Sequence, residues 1–155
     1  MESLIGWAPE EIQLDQPTRM SRHKWVIVVN EALPAGLAAN AAACLAATVG
    51  QTVPGVLGPA GKDAAGAVHP GLPWAGCTIL AAPVERLTRI RAGAAASTGM
   101  HHADMPEIAQ TNRVYGEYLD QLATTDTDRL PLHAVSLLGP RNRVDKLVRT
   151  LPLLQ

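Results

Sequence analysis

Residues 24–30 (KWVIVVN) form an unbroken apolar run rich in β-branched side chains. Such a run is what a strand covered on both faces looks like, since a strand with one wet face alternates apolar and polar positions. After the turn ALPAG, residues 37–49 (LAANAAACLAATV) have the Ala content and length of a helix, which Gly50 ends. Its apolar surface goes nearly all round and predicts a buried helix. Residues 51–76 carry Gly or Pro at nearly every third place, too often for an element interior, and read as a long loop or short hairpin. A loop of that length is uncommon in a compact domain and often functional. Residues 77–82 (CTILAA) read as a second buried strand, and Pro83 then opens the amphipathic helix PVERLTRIRAGAAAS.

Residues 99–105 are ambiguous between a short edge strand and a loop. Residues 106–122 (PEIAQTNRVYGEYLDQL) have helical content late in the segment, with Val114, Leu119 and Leu122 at compatible spacings. A third strand is expected at 132–138 (LHAVSLL). After Gly139 and Pro140, the segment RNRVDKLVRTL predicts a closing helix with Val144, Leu147, Val148 and Leu151 on one face. Strands alternating with helices give the α/β class: a three-layer α/β/α architecture around a mixed, mostly parallel sheet of four to five strands. Residues 1–22, interrupted by Pro9 and Pro17, read as an N-terminal arm packed on the body or on a partner, and residues 23–155 as a single α/β domain.

Composition narrows this in three ways. Phe is absent and Ala supplies much of the 47% hydrophobic content, so the core is built from Leu, Val and close Ala contacts. Thirteen Lys and Arg against fourteen Asp and Glu leave a net charge of −1, which supplies no global field for an anionic polymer; nucleic acid is not expected as a partner. Cys44 and Cys77 sit in apolar stretches and are expected as buried thiols, neither a disulfide framework nor a metal site. No 18-residue apolar stretch occurs, and Glu10, Glu11 and Asp15 stand where a signal peptide needs an apolar middle. The expectation is a cytoplasmic protein without a membrane partner.

The strings at the two ends resemble those of the type-2 peptidyl-tRNA hydrolases. KWVIVVNEALPAGLAANAAA is similar to that family's first strand, Gly-containing turn and Ala-rich helix, and AVSLLGPRNRVDKLVRTLPLL to its last strand, Gly-Pro turn and Val-Asp-Lys helix. The chain resembles more closely still an uncharacterised bacterial family, domain of unknown function 2000, through LPAGLAANAAA, the HPG loop, the Met-Pro-Glu stretch and the terminal LPLL. The resemblance implies a fold like that of the type-2 hydrolases. Their activity is not carried over residue by residue. The family's Gly-Lys-Gly-Lys opening, Ala-Ala-Gln turn and histidine fall on Gly36, Leu37, Ala38, Ala39, Ala43 and Ala46, and no cation lies between Lys24 and Lys62. Nothing there pairs with tRNA phosphates. The Asp-Ala-Gly-Arg-Thr segment falls loosely on residues 107–111, where Glu107 and Thr111 keep a carboxylate and a threonine but the arginine is gone.

Open α/β sheets bind ligands beyond the carboxyl ends of their parallel strands, which singles out Asn30, Glu31, Gly36 and Asn40. Gly36 serves either close approach of backbone amides to a ligand or a tight strand-to-helix turn. Asn40, in an apolar helix, contacts a ligand or makes an internal polar tie. Glu107, Thr111 and Tyr115 fall at i, i+4, i+8, which places a candidate general base beside a hydroxyl or forms a plain polar helix face. His69 lies in the Gly/Pro loop with Asp63 upstream, where a turn hydrogen bond competes with a functional role. His101 and His102 are adjacent and on a strand point to opposite faces, so a metal site with Asp104 is not expected; no cofactor is expected either.

These readings favour a homodimeric domain that binds a small molecule or a protein and lacks the hydrolase activity. The alternatives are a hydrolase using Glu107 and Thr111 near Asn30 and Asn40, with His101 or His102 taking part, and a residual peptidyl-tRNA hydrolase, which requires a basic groove.

Overall fold

The computed structural model describes residues 5–155. Strand β1 (His23–Asn30) runs through the middle of the molecule and leads through a short turn to helix α1 (Ala35–Thr52). A two-stranded hairpin, β2 (Gly61–Lys62) and β3 (Val68–His69), lies within the Gly/Pro-rich segment. Strand β4 (Thr78–Ala82) and helix α2 (Val84–Ala95) follow, then strand β5 (His101–Pro106) and the short helices α3 (Glu107–Thr111) and α4 (Tyr115–Ala123). Strand β6 (Leu132–Pro140) and helix α5 (Arg141–Leu147) complete the fold.

The main sheet has four strands in the order β4-β1-β6-β5. Alternate β1 side chains go to opposite layers: Trp25, Ile27 and Val29 pack with Ala38, Ala41, Leu45 and Val49 of α1. Val26 and Val28 pack with Leu87 and Ile90 of α2 and Val144 of α5. The unbroken apolar run therefore has its expected cause, helical cover on both faces. A polar pair in this interior is satisfied, since the Trp25 indole N–H donates to Ser136 Oγ at 2.9 Å.

Four expectations are corrected. The sheet is mixed but not mostly parallel: only β1–β4 is a parallel pair, while β1–β6 and β5–β6 are antiparallel. The reason lies in residues 107–131, which do not return the chain to the far end of the sheet. Glu107 N–H donates to the Pro131 carbonyl at 2.9 Å, so this segment leaves and re-enters at the same end and β6 must run back against β5. Secondly, no single helix carries the stripe Glu107, Thr111 and Tyr115: α3 ends at Thr111 and α4 starts at Tyr115. Asn112 and Val114 are extended, and the Asn112 side-chain amide donates to the Ile108 carbonyl at 2.8 Å and to Gln121 Oε1 at 3.0 Å, capping α3 instead of continuing it. Thirdly, α1 is not buried all round. It covers one face of a single sheet and no layer lies outside it, so Leu37, Ala39, Ala43 and Ala47 are exposed. Fourthly, and for the same reason, Cys44 is an exposed thiol, while Cys77 is partly buried.

Residues 5–22 lie against the body. Trp7 is 3% exposed, its indole N–H donates to Ser21 Oγ at 3.0 Å, and its ring meets those of His23 and Trp74 edge-on. At the β4 edge of the sheet the C-terminal residues cover that strand: Ala81 N–H donates to the Pro152 carbonyl at 2.9 Å and Leu154 N–H to the Ile79 carbonyl at 3.1 Å. An edge that is otherwise a template for another chain is closed in this way.

Candidate functional site

Strands β1, β4 and β5 end on the same side of the sheet, where β6 begins. At that end β6 carries one residue more than its partner. Met105 faces Ala134 and Pro106 faces Leu132, which leaves His133 between them without an opposite number. Such a bulge re-aims a side chain, and the buried His133 ring meets Gln110 on α3, its Nδ1 in short contact with Gln110 Oε1. The proton positions follow from the partners. Gln110 Nε2 lies 3.0 Å from the Leu37 carbonyl, which only accepts, so this end of the amide is the NH2 group. The oxygen then faces the histidine, and Nδ1 is the donor. Gln110 Nε2 also donates to Asn40 Oδ1 at 2.9 Å, and the Cys44 thiol approaches the same oxygen at 3.9 Å. Asn40 Nδ2 is left without a protein partner among the described residues.

This relay from β6 through α3 to α1 borders an open depression of about 430 Å3. One wall is Asn40, Cys44 and Thr48 of α1; the other is Arg113, Tyr115 and Tyr118 at the start of α4. The two tyrosine rings meet edge to face with centroids 5.4 Å apart. Burial, then the neighbouring Tyr115 and Asp104, raises the Tyr118 hydroxyl pKa above its ordinary value, so it stays a neutral donor. Asp104, on the β5 side, accepts at Oδ2 from Arg91 Nε at 2.6 Å, with both side chains largely buried. Arg91 of α2 is thus tied to the sheet. Among the described residues lining the depression, Arg113 is the one cation and Asp104 the one carboxylate.

Of the residues singled out from the sequence, Asn40 and Tyr115 line this depression. Asn30 serves the turn after β1, its Oδ1 accepting Ala32 N–H at 3.0 Å. Glu31 extends the β1–β4 pairing through its N–H to the Ala82 carbonyl at 3.0 Å, with its side chain exposed. Gly36 lies in the first turn of α1, where an added Cβ meets nothing within 4 Å, so no neighbouring protein group requires glycine there. Glu107 and Thr111 are exposed and outside the lining, and the Thr111 hydroxyl donates to the Glu107 backbone carbonyl at 3.2 Å, not to its carboxylate. The break at Asn112–Val114 separates both from Tyr115.

His69 is on the hairpin, exposed, with Nε2 3.3 Å from Asp63 Oδ2; that contact comes first among the causes that hold the Asp63 carboxyl below its ordinary value. His101 is at the start of β5, the far end of the sheet. Its Nε2 is 3.0 Å from Thr52 Oγ1, whose own proton goes to the Thr48 carbonyl at 2.7 Å. Nε2 must therefore donate, which leaves Nδ1 a bare acceptor, buried without a hydrogen-bond partner. Among the described residues no three of His, Cys, Asp and Glu gather as a metal site.

Sequence reasoning missed Gln110 and His133. A lone histidine inside LHAVSLL was a visible sign that a buried polar group needs a partner. What the sequence hides is the bulge that turns it, and the return at Pro131 that brings it to a residue 23 positions earlier.

No curated protein matches the chain. Among solved structures it is similar to a protein of unknown function from Agrobacterium tumefaciens strain C58, with a TM-score of 0.77 and 20% identity, over 86% of this chain and 98% of that one. At that identity the likeness is one of fold. A family model described as "Protein of unknown function (DUF2000)" matches residues 23–155, and the chain belongs to that family.

Proposed function

We propose that the protein is a binding domain for a small polar molecule seated between α1 and α4, and that it does not hydrolyse peptidyl-tRNA. The observation that carries this is the state of the polar groups at and behind the depression: those best suited to catalysis are each engaged by another protein group. General acid–base or nucleophilic catalysis needs a base within hydrogen-bond reach of the group it activates. Here His133 Nδ1 is held by Gln110, Asp104 by Arg91, and the Cys44 thiol faces an amide oxygen. The groups left for a ligand are the Asn40 amide N–H, the Arg113 guanidinium and the tyrosine hydroxyls, all recognition groups. A first layer fixed by its own hydrogen bonds is preorganised for binding.

The hydrolytic reading built on Glu107 and Thr111 draws no support from the lining of this depression. The reading as residual peptidyl-tRNA hydrolase needs a cationic surface at the α1 mouth, where Arg113 is the one cation in the lining. The kinship in architecture to the type-2 hydrolases stays part of this proposal, supported by KWVIVV in β1 and GPRNRVDKL at the β6–α5 turn. So do a cytoplasmic location, an N-terminal arm over residues 1–22 and a homodimer, the last supported by the exposed small and apolar residues of α1. The experiment is a peptidyl-tRNA cleavage assay with the purified protein and its Glu107→Gln variant. The expected result is no turnover above the uncatalysed rate by either; turnover that Glu107→Gln abolishes overturns the proposal.

A further inference from the structure

Away from the depression, on the opposite face of the sheet, helices α2 and α5 leave a trough between them. It consists of two adjoining hollows of about 450 and 440 Å3 that share Lys146 and Leu147. Arg86 and Arg89 line one and Arg143 the other, and no carboxylate lines either. A chain of net charge −1 thus concentrates four cations on one groove.

Their settings differ in a way that bears on binding. Arg86 is held by the Arg149 carbonyl and by Thr150 Oγ1 at 3.5 Å, and Arg143 by the Thr98 carbonyl. Neutral acceptors fix a guanidinium without cancelling its charge. Arg89 and Lys146 are exposed and have no partner among the described residues. The two nearby acids do not neutralise the trough: Asp145 is taken by Lys24 at 2.6 Å, and Glu85 is outside the lining. The loop that Arg86 grips also contains Thr150 at φ 67°, a left-handed conformation that a β-branched residue rarely adopts. Between the cations of the first hollow the lining is apolar, the partly buried Leu147 beside the buried Ile90, while Ser97 and Thr98 line the second.

We propose that this trough docks an acidic, amphipathic peptide segment of a partner protein, whose carboxylates meet the cationic rims and whose apolar side chains rest on Ile90 and Leu147. Charge complementarity selects an acidic occupant. The apolar floor and the absence of any aromatic ring in the lining select a peptide over nucleic acid, which is gripped through phosphates and stacked bases. This surface is independent of the depression between α1 and α4.

The test is fluorescence anisotropy of the whole protein with a labelled peptide of repeating Leu-Glu-Glu-Leu, its Glu→Gln counterpart and a short RNA duplex. Arg89→Glu/Lys146→Glu serves as the charge-reversed variant, its fold checked by circular dichroism. The expected result is binding of the acidic peptide that weakens with added salt and falls about tenfold or more in the variant, with the glutamine peptide unbound. Failure of the acidic peptide to bind, equal binding of the glutamine peptide, an unaffected variant, or tighter binding of the duplex each overturns the proposal.

Discussion

His101 and His133 are histidines of adjacent strands held in opposite ways, and each has a measurable consequence. Burial, with the charge of His102 second, lowers the His101 pKa from its ordinary 6.5. The unfolded chain then binds a proton that the native ring refuses. Stability from the neutral ring is therefore complete above about 6.5 and lost as pH falls through the depressed native value. Urea midpoints are expected to fall from pH about 7 to about 5 and His101→Gln to flatten that slope; an equal slope in the variant contradicts this assignment. His133 depends instead on Gln110. Gln110→Ala leaves a buried ring N–H unpaired and is expected to cost about 1–3 kcal/mol in urea unfolding. The two thiols separate as well. Burial pushes Cys77 up to about 12, whereas Cys44 is exposed on the depression wall. Iodoacetamide followed by mass spectrometry should modify Cys44 well before Cys77.

Among the elements, the ones set by an uninterrupted local pattern are those the sequence made legible. KWVIVVN is covered on both faces as read, and the closing helix has Val144 buried and Leu147 partly so, but it ends at Leu147, short of the expected Val148 and Leu151. Legibility fails where a long-range partner decides. Ala-rich α1 has no sequence mark to say that one side of it lacks a covering layer, so its surface and Cys44 were placed inside. The direction of β6 depends on where residues 107–131 re-enter, which no period of hydrophobicity encodes. Asn112 is a weak local signal of a helix end, and it became decisive through Gln121. At the site, Asn40 and Tyr115 were legible as polar groups near the end of a strand or helix. Gln110 and His133 were not, since a bulge joins them. The N-terminal segment is likewise bound by long-range contacts, Trp7 against Trp74 and Arg141 on the Thr18 and Ser21 carbonyls: Trp7→Ala is expected to cost about 3–5 kcal/mol in urea unfolding, and a change within about 0.5 kcal/mol would show that Trp7 adds nothing to the fold.

For the molecule as a whole, chemistry is divided between two faces of one sheet. The α1 face carries an uncharged helix beside a depression with one cation in its lining, and the α2–α5 face carries the cationic trough. The basic surface that phosphate recognition requires is therefore not at the helix mouth where the hydrolase resemblance would put it. What remains at that mouth is a preorganised polar surface with unfilled donors, and the central claim is that a small molecule fills it. A thermal-shift screen against small polar metabolites, run in parallel on wild type and on the Asn40→Leu/Tyr118→Ala variant, tests this most directly. A ligand at about a hundred times its Kd adds about 2.7 kcal/mol to the native state, which raises the midpoint by about 5–10 °C in a chain of this size. The expected result is a dose-dependent rise in the wild type that the variant loses. A compound that raises both midpoints equally, or a broad screen in which none raises the wild type, contradicts the account.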